Sequence, residues 1–450
     1  MRIIHFVIWL VFGLLVSDCT NSSQEKSVTV PKPHKYSETY KVPEFLDTTR
    51  IQRIIELLPD AERLFKEYAI NENLPGLAYG IVVDDSLLLS GGTGIINISS
   101  LQPVTSKSLF RIASMTKSFT AMAILKLRDE GKLALSDPAA MYIPELFGLT
   151  YLTEDAAPVT IEDLLTMTAG FPEDNPWGDR QLDDTNEELI NLISKGISFS
   201  TIPGYQYEYS NLGYAMLGNI ISVVSGIPFQ EYITISILDP LGMTNTYWEY
   251  SYIPDKLLAL GYRTKNNQWE KEPLLHDGAF GAIGGIITSI DDFSKYVSFH
   301  LSAWPPHNGP ETGPVKRSSL REMQKIRIPK LYPDVSLLDG NPGSSIKGYG
   351  YGLRINKFSD GITAIGHSGG LPGFGSDYVF LPEFGIGIMS FCNLTYSAPW
   401  PANEQVIKVL FEKGRISARN LPASDILIER KNQIIQLINT WDPALEKTIL

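Results

Sequence analysis

Along the chain, apolar residues fall first into a helical rhythm and then into short runs. Ile51, Ile54, Ile55, Leu58, Ala61, Leu64, Phe65 and Tyr68 recur every three or four positions, which predicts a helix over residues 49–71 that continues through Pro59. The next stretch, "LPGLAYGIVVDDSLLLSGGTGIINI", breaks into brief apolar runs separated by turn residues, the pattern of short strands. In "LFRIASMTKSFTAMAILKLRDEGKL" only Lys117 and Lys126 are charged between Ser114 and Leu127. The helix predicted there has almost no polar face, so it runs through the interior and stops near Gly131. Helical segments closed by Gly or Pro follow from about residue 159 to 243: "IEDLLTMTAGFP", "NEELINLISKGI" and "GYAMLGNIISVVSGIPFQEYITISIL". Strand character returns in "GAIGGIITS", "GYGYGLRINKF", "GITAIGHSGG", "DYVFLPE" and "GIGIMSFCN". Sheet, helices, sheet is the order of an α/β (α+β) fold: an antiparallel sheet flanked by helices, with an all-helical lobe inserted over about residues 115–280.

The two ends depart from this pattern. Residues 1–18 carry one arginine and an apolar run from Ile3 to Val16, too short to span a bilayer of roughly 30 Å with ease, and they read as a secretory leader. Cys19 follows Leu15, Val16, Ser17 and Asp18 in the manner of a lipoprotein box, although such boxes favour a small residue where Asp18 stands. Lipid attachment at Cys19 and plain cleavage both fit, and either places the protein outside the cytoplasm, secreted or held at the envelope by a membrane tether. Residues 19–44 form a polar linker with Pro31 and Pro33, residues 45–416 the folded domain, and residues 417–450 an amphipathic helical extension.

Composition narrows the chemistry. A chain of 450 residues with 43% hydrophobic and 20% charged residues is globular, and 38 Lys plus Arg against 50 Asp plus Glu, a net charge of -12, argues against a nucleic-acid partner. Once the leader is processed, Cys392 has no internal disulfide partner. There is no H-E-x-x-H, no paired C-x-x-C and no phosphate-binding G-x-x-x-x-G-K-[ST], and the six histidines are scattered, so no metal and no cofactor are expected. His276 beside Asp277 reads as a loop hydrogen bond.

Two serines compete for the role of nucleophile. "GHSGG" sets Ser368 in G-x-S-x-G, the pattern of an exposed serine on a strand-to-helix turn. That role requires a helix directly after the serine and a histidine further downstream. The chain instead continues as "LPGFGSDYVFLPEFGIGIMSF", glycine-rich and strand-like, and no histidine lies beyond His367. Ser114 and Lys117 form S-x-x-K, one turn apart on a helix. The spacing also occurs at Ser23 with Lys26, in the linker, and at Ser344 with Lys347, in a Gly-rich loop. Only the pair at 114 and 117 opens a buried helix, where a lysine loses hydration and its pKa falls toward a value at which it accepts a serine proton, near helix N-terminal amides that favour a developing oxyanion. On context alone a lysine whose stem merely lines the core fits as well.

Further motifs break that tie. "PGYQYEYSNLGYAMLG" holds Tyr209, Ser210 and Asn211, and with "SLFRIASMTKSFTAMAILKL", "VTIEDLLTMTAGFP", "PLGMTNT", "GAIGGIITSIDDFSKY", "YGYGLRI" and "GHSGGLPGF" in order, the chain from about Leu74 to Asn393 resembles the serine β-lactamase and penicillin-binding-protein superfamily, in its class C-like, D,D-peptidase-like and esterase-like (CubicO) branch. The resemblance implies an acyl-enzyme on Ser114, with Lys117 assisting its deprotonation and Tyr209 as general base and proton return. It leaves open whether Lys117 or Tyr209 takes the proton. Near a lysine ammonium, the Tyr209 pKa is expected to be depressed. Asn211 is expected to hold the substrate carbonyl and to fix Lys117. "HSGG" aligns with the K-T-G motif: His367 takes the lysine's place, Ser368 faces substrate, Gly369 gives close approach, and the Gly370 N–H joins that of Ser114 in an oxyanion hole. Histidine in that place weakens the fixed charge that greets a β-lactam carboxylate. Met167 stands where relatives often have histidine and reads as packing. The implied activity is cleavage of an ester or amide in a small-molecule or peptide substrate. The alternative is a non-catalytic relative that binds peptidoglycan peptides or a protein partner.

Overall fold

The computed structural model describes residues 40–337 and 340–449; the segments expected to be a leader and most of a linker, with Cys19, lie outside the described residues. Two compact units are present. The larger spans Val42–Ala423, and the smaller contains the described residues before position 42 together with those from Ser424 onward.

The larger unit is built on a nine-stranded sheet. Its strands are β1 (Gly76–Val83), β2 (Ser86–Asn97), β3 (Gln102–Pro103), β8 (Lys330–Val335), β9 (Pro342–Tyr349), β10 (Arg354–Phe358), β11 (Thr363–Leu371), β12 (Phe374–Leu381) and β13 (Ile386–Cys392). They lie in the order β3-β2-β1-β13-β12-β11-β10-β9-β8, and every neighbouring pair is antiparallel. Two ribbons stand apart from it: β4 (Phe110–Arg111) with β7 (Ile287–Thr288), and β5 (Tyr262–Lys265) with β6 (Gln268–Lys271). All eight residues of β1 are buried, because both faces of the sheet are covered. Tyr79, Ile81 and Val83 enter the core formed with α1 (Arg50–Asn71) and α10 (Trp400–Glu412). Ala78 and Val82 enter the larger core on the opposite face. The helix expected over residues 49–71 is α1, with Pro59 inside it, and the Phe65 ring stacks on Tyr79 at 4.6 Å.

The opposite face carries the helical elements. A 3-10 turn, Ala113–Met115, leads into α2 (Thr116–Asp129), in which eleven residues are buried, and Gly131 lies just beyond it at φ +72°. Then come α3 (Ile161–Thr166), α4 (Asn186–Ser194), α5 (Asn211–Ser225) and α6 (Phe229–Ile233). Thr160 and Thr185 close capping boxes with Asp163 and Glu188 at the starts of α3 and α4, and Gly226 ends α5 in the left-handed region at φ +79°. The short α7 (Gly281–Gly284), α8 (Ile290–Ser302) and α9 (Arg317–Met323) complete this unit. Among the described residues no single helix is long and apolar enough to cross a membrane.

Two local expectations differ from what folds. "GAIGGIITS" is a strand only at β7; Gly281–Gly284 form α7 and Gly285 caps it, because the chain folds back tightly over Asp277, where a Cβ on Gly281 or Gly285 would lie 2.1 or 2.3 Å from Asp277 Oδ1. The ribbon β5–β6 falls within the span expected to be wholly helical. Its turn is Asn266–Asn267, with φ +52° and +61°, a pair that asparagine tolerates and a tight hairpin requires. The smaller unit contains α11 (Asp425–Thr440), capped by Ser424, and α12 (Pro443–Ile449).

Candidate active site

Ser114 lies in the 3-10 turn before α2, where Ala113 is held at φ +50°. That conformation costs a non-glycine residue about 1 kcal/mol or more, and such strain is retained where surrounding structure enforces it. The enforcing neighbour is β11: a Cβ on Gly369 would lie 2.4 Å from the Ile112 carbonyl oxygen and 2.9 Å from Ala113 Cβ, and the Ser376 hydroxyl of β12 donates to the same carbonyl at 2.7 Å. Ser114 is left 9% exposed, beside the fully buried Lys117.

Lys117 Nζ donates to Ser114 Oγ at 3.0 Å and to the Ile283 carbonyl of α7 at 3.1 Å. Burial lowers its pKa to about 7; the charges of Asp179 and Asp174 oppose that shift, and Arg354 adds to it. The ring of Tyr209 lies 5.0 Å from Nζ. Here the structure corrects the sequence: the Tyr209 pKa is raised, not depressed. Burial is the largest cause, with Arg354 and the Ser114 hydroxyl opposing it. A lysine that is itself close to neutrality supplies no fixed charge to overcome this.

Asn211 opens α5. Its backbone N–H and that of Leu212 donate to the two oxygens of Asp174, each at 2.8 Å, so a carboxylate caps this helix. Its Nδ2 donates to Asn175 Oδ1 at 2.7 Å and reaches Asp179 Oδ1 at 3.5 Å, while its buried Oδ1 has no partner. The amide therefore presents an unused acceptor, but the carbonyl that fixes Lys117 comes from Ile283, not from Asn211. Met167, in the left-handed C-cap of α3 at φ +59°, accepts the Ser210 N–H on its sulfur at 3.3 Å, and its carbonyl accepts that of Glu208. Beyond packing, it holds the Tyr209–Asn211 segment in place.

The "HSGG" segment lies in the second half of β11. Pairing with β10 ends at Gly366, while β12 accompanies the strand to Leu371, so from His367 onward one backbone edge has no neighbouring strand among the described residues. His367 is buried. Its Nδ1 lies 2.5 Å from the Ser368 carbonyl and its Nε2 3.0 Å from the Tyr349 hydroxyl, the contacts of a neutral imidazole that donates from Nδ1 and accepts at Nε2. Burial, with the charges of Arg354 and Lys117, holds its pKa well below the ordinary value. Ser368 is not placed as the sequence suggested. Successive strand residues face opposite sides of the sheet, and its hydroxyl donates to Asp377 Oδ2 at 2.7 Å, whose other oxygen accepts from Asn403 of α10. With Arg354, Phe358 and Trp400, Ser368 and Asp377 line a cavity of about 550 Å³.

A family model described as Beta-lactamase matches residues 61–410. The chain belongs to the Beta-lactamase family. The octameric penicillin-binding protein homologue from Pyrococcus abyssi superposes with a TM-score of 0.67 at 27% identity, covering 84% of this chain and 82% of that one. "Protein flp" of Staphylococcus aureus (strain COL) is 27% identical over 72% of this chain and 60% of its own length. "Beta-lactamase-like protein 2" of Dictyostelium discoideum is 25% identical over 83% of this chain and 66% of its own length. The chain thus spans about three fifths of the staphylococcal relative.

Membership of the Beta-lactamase family supports serine hydrolase chemistry in general, and the geometry supplies what motif matching left out. Asp174 and Asp179, which bear on Asn211 and Lys117, come from "EDNPWGDR", a loop without a readable code. Tyr349, in the "GYGYG" segment, joins His367 to the Tyr209 ring, with which it makes an edge contact at 6.4 Å. Arg354, exposed and without an ion-pair partner among the described residues, adds a positive charge that reaches Lys117, Tyr209 and His367. Among the described residues no group of three or more His, Cys, Asp or Glu could hold a metal ion. The close approach of Gly369 gives a direct prediction. Gly369→Ala is expected to destabilise the fold by about 1–3 kcal/mol, as overpacking does, and to slow acylation of Ser114 by moving its turn. Denaturant unfolding and probe-labelling rates check it, and wild-type values for both would refute the claimed contact.

Proposed function

We propose that this protein hydrolyses an ester or amide through an acyl-enzyme on Ser114. The observation that carries the reading is the 3.0 Å contact between Ser114 Oγ and a buried Lys117 whose pKa is near 7. Neutral Lys117 takes the hydroxyl proton as Oγ attacks the carbonyl carbon. The oxyanion is received by the N–H groups of Ser114 and Gly370. With its raised pKa Tyr209 stays a phenol, so it acts as a donor: it gives its proton to the leaving oxygen or nitrogen and recovers one from the Lys117 ammonium. Water then attacks the acyl carbon and surrenders a proton to Lys117; the bond from that carbon to Oγ breaks, Ser114 Oγ takes the proton back from Lys117, and the acid leaves. A fluorophosphonate or penicillin probe should add its mass to the peptide containing Ser114, and labelling of any other residue would overturn the assignment. The leader and Cys19 support an action outside the cytoplasm, secreted or tethered at the envelope.

The finer reading concerns charge. His367 is neutral, so the positive charge left to act on an anionic substrate group is that of Arg354, which lines the Ser368 cavity and bears on Lys117, Tyr209 and His367 through its long-range field. Substrates bearing a carboxylate near the scissile bond, such as D-amino-acid peptides, fit this better than neutral esters. Arg354→Met should raise KM for an anionic amide or ester by about threefold, the order of one charge acting at a distance, and leave that for p-nitrophenyl acetate near its parent value. Equal effects on both substrates would count against the carboxylate reading.

A further inference from the structure

The residue that most needs explaining is Asp179. It lies in the turn Gly178–Arg180, only 4% exposed, with no ion-pair partner within 4 Å among the described residues. Burying a carboxylate without a cation is costly, and such groups persist where they do something else. Its contacts reach both sides of the Ser114 site. On one side Oδ1 faces Asn211 Nδ2 at 3.5 Å, and the adjoining Gly178 sits so close that a Cβ there would lie 2.7 Å from Asn211 Cβ. On the other, the Tyr396 phenol is near enough to act on its carboxylate, and the guanidinium of the adjoining Arg180 lies 5.9 Å from the Tyr396 ring. The Tyr396 ring stands against Gly370, where a Cβ would meet its Cδ1 at 2.8 Å, and its backbone N–H reaches the Leu371 carbonyl at 3.4 Å. Asp179 therefore connects the start of α5 with the open edge of β11.

We propose that Asp179 is a positioning residue of this site, holding Asn211 and Tyr396 in place and setting the proton balance of Lys117 through its charge. This rests on Ser114 being the nucleophile. The charged and titratable groups that bear on Lys117 are Asp179 and Asp174, which favour the ammonium, Arg354 and His367, and the phenols of Tyr209 and Tyr214, whose rings lie 5.0 and 6.0 Å from Nζ. Asp179 leads the two that resist burial. Asp179 itself faces Lys117, Asp174, Arg180 and Tyr396, and its own pKa is raised, chiefly by burial. Without its charge, desolvation alone would drive Lys117 further down, leaving a lysine that is neutral over a wider pH range but a weaker base.

The test is the pH dependence of the second-order rate of fluorophosphonate labelling, which needs no knowledge of the natural substrate. In Asp179→Asn the acid limb should move to lower pH by about one unit, a tenfold change in proton concentration, and the plateau rate should fall. Asp179→Glu, which keeps the charge, should leave the limb near its parent position. A purely structural role would lower stability or rate without moving the inflection. An unmoved or upward-shifted limb in Asp179→Asn would overturn the proposal, and if that variant does not accumulate as folded protein, Asp179→Ser carries the same expectation. Absence of Ser114 labelling in the parent would instead defeat the nucleophile assignment, so the two failures are distinguishable.

Discussion

Ser114→Ala is expected to abolish covalent labelling by serine-directed probes and to lower hydrolysis by about 10⁴–10⁶-fold, the range for loss of a nucleophile whose partners act as one unit. Ser368→Ala should remain labelled at Ser114. The contrast arises from position, since both serines stand in short patterns that could be read as catalytic, S-x-x-K and G-x-S-x-G. Ser114 stands at the mouth of a buried helix, strained into place by Ala113 and receiving a hydrogen bond from Lys117. Ser368 lies mid-strand with its hydroxyl committed to Asp377. The substitution removes one oxygen from a site where Lys117 keeps its bond to the Ile283 carbonyl, so the fold should survive and the loss should be chemical. Intact-mass spectrometry after probe treatment reads both variants, and a labelled Ser114→Ala protein would end the present assignment.

The parts of this site that could be read from the sequence are those governed by local pattern. The nearly unpolar stretch from Ser114 to Leu127 required a buried helix, and a lysine one turn inside it required a reason to be there. Tyr209 could be located by the spacing around Asn211, but the direction of its pKa could not, because its environment is assembled from Tyr349 and His367 on distant strands. Ser368 illustrates a different limit. Alternation along a strand is certain, yet which face a given residue takes depends on register with β12 and on where α10 lies, both set by tertiary packing. Asp174 and Asp179 had no periodicity to reveal them, since a carboxylate in an irregular loop looks the same in sequence whether it caps α5, sits beside a buried lysine, or faces water. The β5–β6 ribbon escaped notice because its exposed "RTKNNQWEK" has no apolar alternation; the Asn-Asn pair was its one signal.

Lys117→Met should separate catalysis from stability, because the same burial that makes Lys117 a base also burdens the fold. Activity is expected to fall by about 10³–10⁵-fold, as for removal of an essential proton acceptor. Stability should change in the opposite direction, and in a pH-dependent way. In the unfolded chain the lysine keeps its proton up to an ordinary pKa of 10.5, whereas in the folded protein it releases it near pH 7. Between those values the unfolded state binds more protons, so the stability of the parent rises with pH across the window; below about pH 7 both states are protonated and the folded one carries the full cost of a buried ammonium. Methionine has a similar length and no charge to bury. At pH 6 the variant should therefore be more stable than the parent, by an amount on the order of a few kcal/mol less whatever the lost contacts to Ser114 and Ile283 contributed. The advantage should shrink steadily toward pH 10. The slope is the decisive quantity, because lost contacts shift the whole curve without tilting it. Thermal or denaturant unfolding of both proteins at several pH values measures it, and a stability difference that does not change with pH would mean that Lys117 titrates normally and is not the base.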